Sequence, residues 1–433
     1  MRFQLVRSRL VRSLFTRLRL VRSVFVRSLF SRSPKSSRRR GARRRQVFAS
    51  QFDRSRGPGY ADSLLGFGGL ESRAMLAADD VVVSLVGNTV ALTLDNAGVQ
   101  ISNLSTAYNA TSKQLTITAA RTAGTISTAA PIAGISVNDA ADTITVNLAT
   151  IPAFAGISVA GGAGTDTIVI GVGGIGLRSV GGGAANQSFS INTGAGVNDV
   201  ITVANAIAAK GAGAVSLTTL GTGPSYGIQL AADVTSPLGS ETFAGPVTLQ
   251  KSVTLAAGGT IAFTSTIDGA NRLTLSSGKA ITLAGAVGGT TPLAGMTLAA
   301  AKSVAINGAV TLDGTGTAAG TSGLVIGANV NNVVFSPLTK DNARTISGFS
   351  GSGIQFLGGS TGSRITGVVS TANGNALRIA PGSYAGTIIS GNTFSSSTGS
   401  GVVMTAATGL TLGGGNAIIF NAGYGLNATG TST

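Results

Sequence analysis

The sequence predicts an all-β chain: a stack of short parallel strands, a β-solenoid, behind a disordered basic leader. Three observations predict it. The 433 residues include 64 Gly but no His, Cys or Trp, and only 11% are charged. That mixture suits pleated strands and tight turns, and is poor in the Glu and Lys that cover helix surfaces. Apolar triplets recur at near-constant intervals in the second half of the chain. The entire positive excess, finally, lies at the N-terminus.

The triplets align as three consecutive units. They are Val253-Thr254-Leu255 with Ile261-Ala262-Phe263, Leu273-Thr274-Leu275 with Ile281-Thr282-Leu283, and Met296-Thr297-Leu298 with Val304-Ala305-Ile306. Each reads apolar, small or Thr, apolar, which is the period of a strand. Ile267, Val287 and Val310 mark a third short strand in each unit. A unit of 20 to 23 residues with three strands fits one coil. A lone coil cannot bury its inward side chains, whereas stacking the next coil does so. Matching aliphatic residues are therefore expected in columns inside a tube.

Residues 1–78 form the leader, with 19 Lys and Arg against three acids. The remaining residues hold 12 of each sign, so the body is neutral. It offers no phosphate-tracking surface, and no nucleic-acid partner is expected. Arg2, Arg7, Arg12, Arg17, Arg22, Arg27 and Arg32 recur every five residues. Such a period scatters charge around a helix and alternates it across a strand, so it specifies no face. The leader reads as removed or disordered sequence. A tail for nucleic acid or an anionic membrane, and an organellar presequence, are the competing readings. No apolar run is long enough for a transmembrane segment.

Leu70-Glu71-Ser72-Arg73-Ala74-Met75-Leu76-Ala77-Ala78 follows the basic block. It resembles the L-E-x-R-x-L-L-A leader of exported surface proteins of planctomycete bacteria, with Met75 in place of Leu. The resemblance implies export to the cell surface or the extracellular space. Residues 79–235 alternate less regularly and read as an irregular all-β region, either solenoid or a capping β domain. The segment from Ala204 to Gly211 carries too many small residues for a convincing helix.

Residues 236–320 carry the tandem units, which look like the strand repeats of filamentous-haemagglutinin-type adhesins. Residues 321–433 repeat differently, with apolar positions at Ile354, Leu377, Val402 and Leu426 and a second set from Ile365, Ile388 and Leu410. Thr387-Ile388-Ile389-Ser390-Gly391-Asn392-Thr393-Phe394 resembles the turns of pectate-lyase-like right-handed parallel β-helices. That resemblance implies the right-handed parallel β-helix for this fold. As one solenoid from residue 79, the body makes roughly 16 coils.

Gly161-Gly162-Ala163-Gly164-Thr165-Asp166 matches the start of a calcium-binding nonapeptide, echoed at Gly194-Ala195-Gly196-Val197-Asn198-Asp199. Two readings stand: ordinary Gly-Asp turns entering strands, or a calcium site held by Asp166 and Asp199. No other cofactor is expected. Without His or Cys, no Ser-His-Asp triad, Cys-His pair or histidine zinc site can form. Gly171-Val172-Gly173-Gly174-Ile175-Gly176 is a weak nucleotide-loop match with no helix after it. Arg344, Arg364 and Arg378 lack an acidic cluster and are expected on outward faces. Phe394, Tyr384, Phe420 and Tyr424 are expected in core or turn packing, with sugar stacking as the other reading.

The sequence thus points to an exported structural or adhesion-type solenoid without catalytic activity. The alternative is a carbohydrate-binding or carbohydrate-active β-helix, a polysaccharide lyase or hydrolase fragment. Expected partners are extracellular-matrix or cell-envelope polysaccharide or protein, or a second copy at the solenoid end. The last residues still read as solenoid, so the chain is expected to self-associate or to be cut from a longer protein.

Overall fold

The computed structural model describes residues 80–95, 98–181, 183–335 and 344–430. All belong to one compact unit, 74–433. The leader and its readings lie outside the described residues.

From Gly156 onward the chain winds through three faces in turn. Face I takes Gly156–Ala160, face II Thr167–Ile170 and face III Ile175–Gly176. The next coil repeats this order with Ser188–Asn192, Val200–Val203 and Ile207–Ala208. Strands on each face pair in parallel with the coils before and after. Face I belongs to a 14-stranded sheet and face III to an 11-stranded one. Face II is a nine-stranded and a five-stranded sheet, bridged through Ile267, Val287 and Val310. The molecule is all-β with long parallel sheets, the arrangement of a solenoid.

The three tandem units lie in register. Val253 pairs with Leu273 and Leu273 with Met296, while Leu255, Leu275 and Leu298 form the adjacent column. Ile261, Ile281 and Val304 stack on face I. All of these are buried and belong to one continuous core. Intervening residues such as Thr254 and Thr274 point outward, as alternation requires. Ile354, Leu377, Val402 and Leu426 also stack as the spacing predicts.

Two expectations need correction. Ile365 stacks on Ile389 and Leu412, not on Ile388 and Leu410. A register shift between Ser383 and Thr387 moves the pairing, so Ile388 is half-buried and Ile389 fully buried. The coils are also fewer than 16. On face III, paired residues are 32 apart at Ile175 and Ile207 but 20 apart at Leu255 and Leu275, and long loops consume chain. The segment from Ala204 to Gly211 contributes the strand Ile207–Ala208.

The first 70 or so described residues are built differently. Val81–Val86 and Thr89–Leu94 form an antiparallel hairpin over Gly87-Asn88, with Gly87 at φ 59. Gln100–Asn109 and Gln114–Arg121 form a second, extended by Thr143–Asn147 and Ile135–Asn138. Thr89–Leu94 and Gln100–Asn109 then join the parallel sheets at Gly156–Ala160 and Thr167–Ile170. These hairpins start faces I and II with locally closed pairs, which need no earlier coil.

Candidate functional site

The corner from face I to face II holds both aspartates singled out in the sequence. Asp166 and Asp199 occupy equivalent positions just before paired strands, and both are fully buried. Their carboxylates face backbone. Asp166 Oδ1 accepts from the Val99 N–H at 2.9 Å and Oδ2 from the Gly162 N–H at 3.1 Å. Asp199 Oδ1 accepts from the Asp166 N–H at 2.9 Å and Oδ2 from the Gly196 N–H at 3.2 Å. Each aspartate thus fastens its own turn and the coil beneath it. The glycines are required by close approach. A Cβ on Gly161 would stand 2.3 Å from Asp166 Oδ2, and one on Gly196 would lie 2.5 Å from Asp199 Oδ1. Burial pushes the Asp166 carboxyl up to about 6, assisted by the charges of Asp199 and Asp95.

This geometry brings the two aspartates together as a ladder. Four N–H dipoles point at the carboxylates where a cation would need bare oxygen. Among the described residues, no group of three His, Cys, Asp or Glu side chains is placed to hold a metal ion. The fit to calcium is therefore poor, and the turn reading accounts for the contacts. Adding calcium or a chelator is expected to leave the thermal midpoint unchanged. A rise of several degrees with calcium, lost in Asp199→Asn, would restore the metal reading.

Other carboxylates have the same employment. Asp80 accepts from the Thr125 N–H at 2.9 Å, Asp233 from the Thr254 N–H at 2.7 Å, and Asp268 from the N–H groups of Thr290 and Thr291. Asp139 and Asp142 receive Arg121 at 3.0 and 2.6 Å. Glu241 is the exception. It stands in the face I column between Val215 and Ile261, fully buried. Neither of its oxygens has a hydrogen-bond partner. The backbone of Ala256 and Ser236 lies near, yet burial dominates and pushes the carboxyl up to about 8. Sequence reasoning missed it, although Glu241 shares the inward phase of Phe243.

The remaining candidates scatter. Arg344 is 1% exposed and lies 5.1 Å from the Phe335 ring centroid, so it is not outward; Arg364 and Arg378 are exposed. Tyr384 and Phe394 are buried, the former edge-on to Phe356 at 5.7 Å. Phe420 and Tyr424 are instead exposed, beyond the buried part of the coil. Gly171 to Gly176 turn from face II to face III, with Gly173 and Gly174 at positive φ. Only the three-residue 3₁₀ turn Leu177–Ser179 follows, so no helix dipole is available to a phosphate.

Sequence reasoning also missed a set of buried asparagines. Asn373 and Asn392 are each 1% exposed and bridge successive coils. Asn392 Oδ1 accepts from the Val368 N–H at 2.9 Å, and its Nδ2 donates to the Ile365 carbonyl at 2.9 Å. Asn373 does the same for Phe349 and Ile346. The recurring Gly-Asn and Ala-Asn pairs were the available signal.

No protein-family model matches the chain, and no curated protein or solved structure matches it either. No described helix is long and apolar enough to cross a membrane.

Proposed function

We propose that the chain is an exported, cell-surface or extracellular structural or adhesion-type solenoid without catalytic activity. The observation that carries this reading is the use of its carboxylates. Asp80, Asp166, Asp199, Asp233 and Asp268 fasten turns instead of converging on a substrate-sized cleft. A glycosidase needs a facing acid pair, and a lyase needs acids around its metal. Continuous parallel ladders, by contrast, supply length and surface. The coils are read as right-handed, the hand that parallel crossovers adopt almost without exception. The Leu70 to Ala78 resemblance supports export, and the strand repeats support an adhesin-like role. Partners on this reading are envelope or matrix polysaccharide or protein.

Fractionation tests the reading. Expressed in a planctomycete host, the full chain is expected in the envelope or medium. A chain lacking residues 1–78 is expected to stay inside. Retention of both forms in the cytosol would overturn the proposal.

A further inference from the structure

Charge is sorted by face although the body is neutral overall. Among the described residues, the exposed or half-exposed acids are Asp139 and Asp142 at the hairpins and Asp233, Asp268 and Asp313 on face II or its corner to face III. Among the described residues from Gly156 onward, faces I and III and the corner between them carry no exposed carboxylate. That corner carries Arg178, Lys279 and Lys302, all exposed, and Lys210, whose Nζ donates to the Val180 carbonyl at 2.7 Å. Lys279 and Lys302 stack on consecutive coils, the Lys302 N–H donating to the Lys279 carbonyl at 2.7 Å.

Between the cations lies a groove of about 350 Å³. Arg178 closes one end; Thr235 and Ser276 supply hydroxyls, and Pro237, Gly258 and Gly278 keep the wall low, while the buried Ser277 hydroxyl is turned inward and donates to the Gly259 carbonyl at 2.7 Å. Lys279 follows Gly278 at its rim, and Lys302 lies one coil further. From Arg178 to Lys302 the corner climbs five coil steps, roughly 24 Å at ~4.8 Å each.

We propose that this corner is a binding groove for a linear acidic polysaccharide, with Arg178, Lys279 and Lys302 meeting its carboxylates and Thr235 and Ser276 its hydroxyls. The proposal rests on the surface-protein reading, since such polymers lie outside the cell. Charge complementarity selects an anion, and the absence of exposed acids on the flanking faces leaves its path unopposed. The hydroxyl lining suits sugar. Nucleic acid fits less well: a duplex presents a charge about every 1.7 Å, whereas this corner offers three exposed cations over its whole length. An open, shallow groove along the coil axis also admits a chain, where a closed pocket would admit only its end.

The test is lysine acetylation of the full chain, read residue by residue, with and without a galacturonate oligomer. Lys279 and Lys302 are expected to be protected, with Lys113 and Lys251 unchanged as internal controls. Arginines of the leader do not enter this readout. Arg178→Gln is expected to weaken half-maximal protection about threefold, and a neutral glucan to protect nothing. Equal protection of all four lysines, no protection, or protection by glucan or by a DNA oligomer as good as that by galacturonate would each overturn the proposal. Fractionation is independent of this result, so the surface-protein reading can fail or survive separately.

Discussion

Glu241→Leu is expected to stabilise the folded chain at neutral pH, and by more as the pH rises. The folded carboxyl holds its proton up to about pH 8, against an ordinary value of 4.5. The unfolded chain loses that proton near the ordinary value. Between the two values the folded state binds more protons, so stability falls as pH rises through the window. The full loss across it is on the order of 5 kcal/mol, and roughly 3 kcal/mol is already lost at pH 7. Below the window both states are protonated and this contribution to the slope vanishes. The side chain is fully buried and the oxygens lack partners, so solvent does not screen the effect. Glu241→Gln removes the slope but keeps polar atoms in the column. Glu241→Leu removes both, at a volume that Val215 and Ile261 already frame. Urea midpoints at pH 5 and pH 8 for the three proteins measure it. Parallel pH profiles for the original chain and the Gln variant would show that Glu241 does not titrate within the core.

Why such a residue sits there connects the fold to its polar economy. A solenoid exposes the same backbone groups at every corner, coil after coil, and each must find a partner. Asp166 and Asp199 answer that need near the start of the parallel coils, and Asn373 and Asn392 near their end. Glu241 answers none: it displaces an aliphatic residue from a column that runs Val215, Glu241, Ile261, Ile281. Phe243 and Phe263 stack beside it at 4.8 Å, a packed layer with little room for a wandering carboxylate. Because coils contact only their neighbours, strain there is confined to adjacent turns. The rest of the stack is indifferent to it.

The parallel stack was legible from residue 253 to 312 because loop lengths there barely vary. A constant spacing between apolar triplets then reports the register directly. Legibility failed wherever the corner could absorb an extra residue. At Ile388-Ile389 two adjacent aliphatics compete for one inward position, and alternation alone cannot choose between them. The bulge after Ser383, invisible in composition, decides for Ile389. The N-terminal hairpins were missed for another reason. Gly87-Asn88 between two alternating runs is a hairpin signal, but stacked coils use glycine turns of similar appearance. As for the aspartate corner, the Gly-Asp pattern marks the turns in which Asp166 and Asp199 lie. Whether carboxylates meet a cation or backbone N–H groups depends on the distance between coils, which no motif states.

The C-terminal corners are expected to depend most on Asn392. Its Oδ1 accepts from the Val368 N–H, and its Nδ2 donates to the Ile365 carbonyl and to Asn416 Oδ1. Asn392→Leu matches its size but leaves a buried N–H and a buried carbonyl without partners. Each orphaned group costs about 1–3 kcal/mol, so a loss of roughly 3–5 kcal/mol is expected for the local coils. Val368 and Ile365 are fully buried, which leaves little room for water to take over. Asn392→Asp separates the two halves of the role. It keeps an acceptor for Val368 but turns oxygen towards Ile365 and Asn416, and it buries a charge. It is expected to be destabilised at neutral pH and to recover partly as acid protonates the new carboxyl. Asn421→Ala, at a half-buried position, removes an acceptor from the Ser397 N–H and a donor to the Phe394 carbonyl, and should cost less. Limited proteolysis read by the cleavage site resolves the three. Early cuts between residues 365 and 420 in the Leu variant, with the coils around Leu275 intact, are the expected pattern. A Leu variant as resistant as the original chain would mean that the asparagine is dispensable, and that main-chain ladders alone hold these corners.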